Sequence, residues 1–304
     1  MLAGIEEALQ SWGEAQNKEE MNAINALLDS LIDYAGMYPP SSLSLQTATQ
    51  NYLGYRRSKH NWALGRFIVD WSRMTDLRKA VRDSRSGLKL SLIATAAADW
   101  DSIARQSDEG LSVDTIEIKC DRPSEIERIC KQVPSSVTMY FEVPIESGNS
   151  EILDAISDTG SRAKLRMGGL IPEALPSTLG IANMLKALAD RRIPFKATAG
   201  LHHPIRSHHR LTYEAGSPTG KMHGFLNLAC ASALVYSGGE ASYAQCLLEE
   251  EDPRAWSLND GSIRWRTLDL SAELLESVRE RFFISFGSCS FEEPIGDLEA
   301  LGWL

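Results

Sequence analysis

The sequence has no surplus of positive charge: 31 lysines and arginines against 41 aspartates and glutamates leave a formal net charge of −10 over 304 residues. Nucleic-acid backbones and anionic membrane surfaces favour basic patches, so neither is expected as a partner. Cysteine is scarce and unpatterned. The five, at 120, 130, 230, 246 and 289, are odd in number, and no Cys-x-x-Cys pair suggests structural zinc or redox exchange. Reduced thiols are expected. The run Met1-Leu2-Ala3-Gly4-Ile5-Glu6-Glu7 lacks the basic start and unbroken apolar core of a signal peptide, and no later run approaches spanning length, which predicts a cytoplasmic protein. His-x-His and Glu-x-x-His spacings are missing, as are internal repeats and low-complexity tracts.

What is present is apolar residue in quantity, 43% of the chain, enough for a large core. The length suits two average domains, or one α/β barrel of about 250 residues with an extension. Over residues 1 to 36, Ile5, Leu9 and Trp12, then Ile24, Leu27, Leu28, Leu31 and Ile32, recur at three- and four-residue steps. That spacing predicts two amphipathic helices. Tyr38-Pro39-Pro40 breaks the pattern, and residues 43 to 63 are polar and aromatic without a clear period. Residues 1–63 are therefore expected as a helical extension on a barrel spanning 64–304. With Trp12 and Trp71, the N-terminal apolar stripe leaves room for a homodimer.

From residue 64, short apolar runs alternate with helix-like stretches. Strands are expected at 66–69, 89–94, 114–119, 137–143, 163–168 and 194–199, with helices at 72–82, 99–107, 123–132, 150–157 and 178–191. Six βα units in series predict a parallel sheet. Residues 224–236 and 240–250 read as helices, Ser262-Ile263-Arg264-Trp265-Arg266 as a seventh strand, 271–281 as a helix and Phe282 to Phe286 as an eighth strand. The fold class is α/β, a (β/α)8 TIM-like barrel, preferred over an open sheet because polar residues mark the ends of many successive strands.

Alternation along each strand separates a polar from an apolar face. The polar faces carry Glu117 and Lys119, Tyr140 and Glu142, Lys164 and Arg166, then Lys196 and Thr198. Buried charge costs several kcal/mol unless paired, so such a set implies either a functional interior or ion pairs that fix barrel register. A lysine beside other cations has its pKa lowered, and its neutral amine attacks carbonyls. Lys196 is the expected nucleophile, with Lys164 and Arg166 depressing its pKa and Arg166 holding a carboxylate or phosphate. Glu142, Glu117, His202 or His203 would transfer protons.

The stretch Phe195-Lys196-Ala197-Thr198-Ala199-Gly200 resembles the lysine strand of class I aldolases of the deoxyribose-phosphate type. That resemblance implies a Schiff-base lysine on the sixth strand and a second lysine on the strand after it; here the other lysine, Lys164, precedes. A broader resemblance covers the C-terminal half. The Lys-x-Arg-x-Gly-Gly run at 164–169, Phe-Lys-Ala-Thr-Ala-Gly-Leu-His-His-Pro at 195–204, His-Gly-Phe-Leu-Asn at 223–227 and Phe-Gly-Ser-Cys-Ser-Phe-x-Glu-Pro at 286–294 are similar to those of an uncharacterised bacterial protein family. It implies that the four segments, with His223 and Asn227 among them, meet at one site.

Histidines 202, 203, 208, 209 and 223 cluster after the lysine strand. Substrate contact or acid–base work is expected of His202, His203 or His223, and a solvated loop of His208 and His209. No cofactor is expected. The alternative is a divalent metal ion on His202, His203, His223 and Glu142, serving an isomerase or hydrolase. In the last motif, Ser290 and Glu293 form a capping box, while the backbone of Gly287 to Ser290, with Ser288 and Cys289, offers an anion site matched by Gly168 and Gly169 beside Arg166. Cys289 has no base near it in sequence. The expectation is a lyase or aldolase-like enzyme for a small anionic carbonyl substrate, with Lys119, Tyr140 and Thr198 lining the site. A non-catalytic small-molecule-binding protein is the reading from another class.

Overall fold

Eight parallel strands hydrogen-bond side by side and close on themselves. The computed structural model describes residues 22–81, 87–96, 98–100, 111–120, 122–146 and 150–304. In chain order they begin with helix α1 (Ala23–Leu28), strand β1 (Ile32–Tyr34), α2 (Leu45–Tyr55), β2 (Leu64–Asp70), α3 (Met74–Val81), β3 (Leu88–Ala94) and β4 (Leu111–Lys119). There follow α4 (Pro123–Cys130), β5 (Thr138–Val143), α5 (Ser150–Asp158), β6 (Arg162–Arg166), α6 (Thr178–Asp190) and β7 (Phe195–Thr198). A hairpin of β8 (Ser207–Arg210) and β9 (Thr219–Met222) leads to α7 (Phe225–Tyr236) and α8 (Ala241–Glu249). An antiparallel sheet of β10 (Trp256–Leu258), β11 (Ser262–Trp265) and β12 (Leu268–Ser271) precedes α9 (Ala272–Arg281), β13 (Phe283–Ser288) and α10 (Glu292–Ala300).

The barrel runs β1 to β7 in sequence, and β13 closes it between β7 and β1. The (β/α)8 expectation holds, with the strand count corrected at both ends. Ile32, expected in a helix, begins the first strand, so the barrel starts inside the segment expected to be an extension. Ser262 to Trp265, expected as the seventh strand, pairs instead with β10 and β12 outside the barrel. Phe195 to Thr198 is therefore strand seven, not six. A three-residue buried strand shows no period of its own, and Leu31 and Ile32 match the helical step set by Leu27 and Leu28. The chain leaves the helix at Asp29 and turns through Ser30 at φ 51°. The expected helix within 1–21 and most of that over 99–107 lie outside the described residues.

Local chemistry accounts for the helix starts. Asn22, Ser44, Ser177 and Ser271 each accept a backbone N–H of the first turn of α1, α2, α6 and α9, and Pro123 occupies the first turn of α4. The outward faces of the strands supply the main core: Leu90, Leu92, Ile116, Ile118, Phe141, Leu165, Phe195, Ala197 and Phe286 are all buried beneath the helices. Helix α7 is buried from Phe225 to Val235 and apolar on every side apart from Asn227 and Ser232, as a helix enclosed by protein should be. Arg279 on α9 ties the first strand's approach to the last strand, donating to the Leu27 carbonyl at 2.7 Å, the Asp29 carbonyl at 3.0 Å, and the carbonyls of Phe283 and Ile284.

Candidate active site

Branched aliphatic side chains usually fill a barrel of this kind. Here the middle of the barrel holds charge. The Lys196 ammonium on β7 donates to Asp33 Oδ2 on β1 at 2.7 Å and to Glu117 Oε1 on β4 at 2.6 Å. β7 and β4 are separated by β6 and β5, so the second bond crosses the interior. Ser285 on β13 donates to Asp33 Oδ2 at 2.8 Å, Ser91 on β3 donates to Glu117 Oε1 at 2.7 Å, and the Arg66 N–H donates to Asp33 Oδ1 at 2.7 Å. Lys164 Nζ on β6 lies 2.9 Å from Glu117 Oε2, an ion pair whose angle falls short of a hydrogen bond, and 3.3 Å from Glu142 Oε2. Arg166 Nε reaches Glu142 Oε1 at 3.3 Å. Asp33, Glu117 and Glu142 thus face Lys164, Lys196 and Arg166 in a charge-balanced chain leading from the interior to the strand ends. The Lys196 ammonium also lies 5.6 Å from the centre of the Tyr140 ring, whose hydroxyl accepts from Arg162.

This arrangement corrects the expected electrostatics of Lys196. Burial alone would lower its pKa, but Asp33 and then Glu117 outweigh it and hold the amine protonated, above its ordinary value. The same balance runs the other way for Glu117: burial favours the acid, and Lys196, Lys164 and Ser91 together keep it ionised. Glu142 is likewise held below the usual carboxylate range, Lys164 and Arg166 overcoming burial. Lys164 and Arg166 do not act on Lys196 as lone cations, because carboxylates stand between them.

At the C-terminal ends of β4 to β6 a cleft of about 370 Å3 is lined by Lys119, Glu142, Arg166 and the Glu173 to Pro176 loop. Glu142 and Arg166 therefore connect the buried network to open space. Lys119 belongs to this rim rather than to the interior, and Thr198 is half-buried at the end of β7. The Tyr38 hydroxyl, from the loop after β1, is buried with no hydrogen-bond partner among the described residues; burial, then Asp70 and Glu117, push its pKa up.

The four motif segments do adjoin. β6, β7 and β13 are neighbours, the Phe225 N–H donates to the His203 carbonyl, and the Phe225 and Phe286 rings stack 5.1 Å apart. Several of their residues build the scaffold. Asn227, fully buried, donates to the carbonyls of Leu247 and Glu250 and accepts from the Arg206 N–H. The Nε2–H of His223 donates to the Pro176 carbonyl while Nδ1 accepts from Arg206, and burial followed by the Arg206 charge lowers its pKa to about 4. Gly168 packs on Gly200: a Cβ at either position would stand 3.0 or 2.9 Å from the other's Cα. Gly169 faces Ala174. Ser288 is buried and accepts from the Ser290 N–H, so only half of the expected capping box forms: the Ser290 hydroxyl accepts from the Glu293 N–H, while the Glu293 carboxylate turns to His202 and Tyr213.

The histidines turn to separate partners. His202 pairs with Glu293 at 2.9 Å and His203 with Asp297 at 2.6 Å, both on α10, and His203 stacks on His209 at 3.4 Å. His209 is thus half-buried rather than solvated, and His208 is exposed. His202, His203, His223 and Glu142 are not brought together, and among the described residues no group of three or more His, Cys, Asp or Glu is placed to hold a metal ion. Asp33, Ser91 and Ser285 were not singled out from sequence, although each is a polar residue between apolar neighbours on a strand, the signal that singled out Lys196. No protein-family model matches the chain, and no curated protein matches it in sequence.

Proposed function

We propose that the chain is a barrel enzyme that forms a Schiff base with a small anionic carbonyl compound, with Lys164 rather than Lys196 as the amine. The observation that carries this reading is the placement of the two lysines at matching register on strands six and seven, joined through Glu117. That is the order implied by the resemblance to deoxyribose-phosphate aldolases once β1 is counted as the first strand. Lys196, 1% exposed and doubly paired, is suited to remain a fixed cation. Lys164 is nearer the cleft, through Glu142 and Arg166.

In this reading Arg166, with its side chain 55% exposed, binds the carboxylate or phosphate at the rim. Glu142 takes a proton from Lys164, the neutral amine adds to the carbonyl carbon, and loss of water leaves an iminium that draws electrons from the adjacent bond. Lys196 keeps its proton and compensates Glu117 throughout. Borohydride reduction in the presence of a panel of small aldehydes and keto acids should leave a mass adduct on the peptide carrying Lys164, and Lys164→Arg should abolish it. Turnover of a carbonyl substrate without any adduct, or with one on Lys196, sinks the assignment.

A second reading is favoured by the pairing of Lys196 with both Asp33 and Glu117: the charges serve as a strut, and the cleft binds a small anion without turnover. Ligand binding that survives Lys164→Met, with no trapping on the native chain, selects it.

A further inference from the structure

A different cluster stands at the C-terminal end of β13. Cys289 Sγ lies 3.9 Å from His202 Nδ1, at the long end for a sulfur hydrogen bond, and 3.6 Å from the Tyr213 hydroxyl. The same Nδ1 is 2.9 Å from Glu293 Oε2, and the Tyr213 hydroxyl donates to that oxygen at 3.0 Å. Three segments meet there: the loop after β7 brings His202, the tip of the β8–β9 hairpin brings Tyr213, and the first turn of α10 brings Glu293. The chain reaches His202 through Ala199 at φ 60° and Gly200 at φ 70°, and the first of these is a conformation a non-glycine residue holds only under tertiary constraint. Cys289 is buried, whereas Tyr213, lying over it, is 56% exposed. The base that no sequence neighbour of Cys289 supplies arrives from a residue 87 positions away.

We propose that Cys289 and His202 form a second nucleophilic centre on the C-terminal face of the barrel, directed at the carbonyl carbon of a small acyl compound such as a thioester or activated ester. The Cys289 sulfur forms a bond to that carbon and the C=O electron pair moves onto oxygen. On collapse the leaving alkoxide or thiolate departs with its bonding pair and takes the proton held by the His202 imidazolium. Water then adds to the acyl-cysteine, giving its proton to the neutral imidazole, and expels the thiolate with the free acid as product. In this step the Tyr213 hydroxyl, 3.6 Å from Sγ, turns from Glu293 to donate to the oxygen on the carbon bonded to Sγ, and this favours a carbonyl electrophile over an alkylating one.

The surrounding charges agree with the geometry. Burial raises the Cys289 thiol, but His202 more than offsets it, with the Ser41 and Tyr213 hydroxyls, so the thiol lies below its ordinary pKa. Burial lowers His202, and Cys289 and Glu293 raise it to about 9. Tyr34 on β1, Glu292 on α10 and the His203–Asp297 pair, with His209 stacked on His203, also lie around the pair. This centre is independent of the lysine chemistry proposed above.

The test uses the intact chain and p-nitrophenyl acetate, following nitrophenolate release and the acetyl mass on each cysteine peptide. Cys246, exposed on α8, is the internal reference. Cys289 should acetylate at least about tenfold faster than Cys246 at neutral pH, and His202→Asn should slow it by about a hundredfold. Tyr213→Phe should slow acetylation more than alkylation by iodoacetamide, because both lose a hydroxyl that lowers the thiol but only acetylation develops an oxyanion. Acetylation of Cys289 no faster than Cys246, an unchanged rate in His202→Asn, or equal slowing of both reactions by Tyr213→Phe overturns the proposal. Thiolate ultraviolet absorbance, wild type minus Cys289→Ser, tests the pair without a folded His202 variant. It should titrate below the ordinary thiol range, and titration within that range overturns the pairing.

Discussion

Lys196 illustrates how a residue's role is set by what it touches. As a cation between Asp33 and Glu117 it completes a buried network, so Lys196→Met should cost roughly 3–5 kcal/mol by leaving Asp33 without a cation and Glu117 with Lys164 alone. Urea unfolding measures this, and adding Asp33→Asn and Glu117→Gln should recover part of the loss. His223 gives a pH-dependent counterpart. Its folded pKa, about 4, is below the ordinary imidazole value, so the unfolded chain binds more protons between the two. Its contribution is complete above about pH 6.5 and is lost as pH falls toward 4. His209, lowered to about 4 by burial and then His203, adds in the same direction, whereas His202, raised to about 9, is protonated in both states there and adds nothing. Stability should therefore fall by up to about 2 kcal/mol per histidine between pH 6.5 and 5, and His223→Asn should flatten that limb.

At the scale of elements, the turns after β6 and β7 decide where the rim residues stand. Gly168 and Gly200 cross at backbone contact, and Gly200 is also in the left-handed region. Gly200→Ala combines a Cβ 2.9 Å from a backbone atom with a disfavoured φ, so a loss of about 1–3 kcal/mol is expected, read as a lowered Tm. Strands β3 to β7 were legible because each is long enough to alternate and each carries polar residues on one face. β1 was not: three residues, with Asp33 between Ile32 and Tyr34, fall inside a helical spacing. Ser262 to Trp265 does alternate, a pattern that an antiparallel outlying strand and a barrel strand share. Which partner a strand takes is a non-local matter.

For the whole molecule, closure depends on joining its first and last strands. Arg279 spans that seam, with its guanidinium on the carbonyls of Leu27, Asp29, Phe283 and Ile284. Arg279→Met should remove about 2–4 kcal/mol by leaving those carbonyls without a donor, and denaturant unfolding checks it. A loss under about 0.5 kcal/mol, the usual range for surface changes, would mean that the strand pairing alone holds the barrel shut.

By itself the sequence determined the α/β barrel, the helices from α3 onward within the described residues, the polar faces of β4 to β7 and the cap of α10, because these depend on the period and composition of contiguous residues. Only the tertiary structure decided that Lys196 lies on the seventh strand, that Asp33, Ser91 and Ser285 complete its surroundings, that its charge is held rather than released, and that His202 meets Cys289. Hydrophobic alternation is written along the chain, whereas the pKa of a buried lysine and the partner of a thiol are set by groups 79 to 163 residues distant that meet only once the barrel closes.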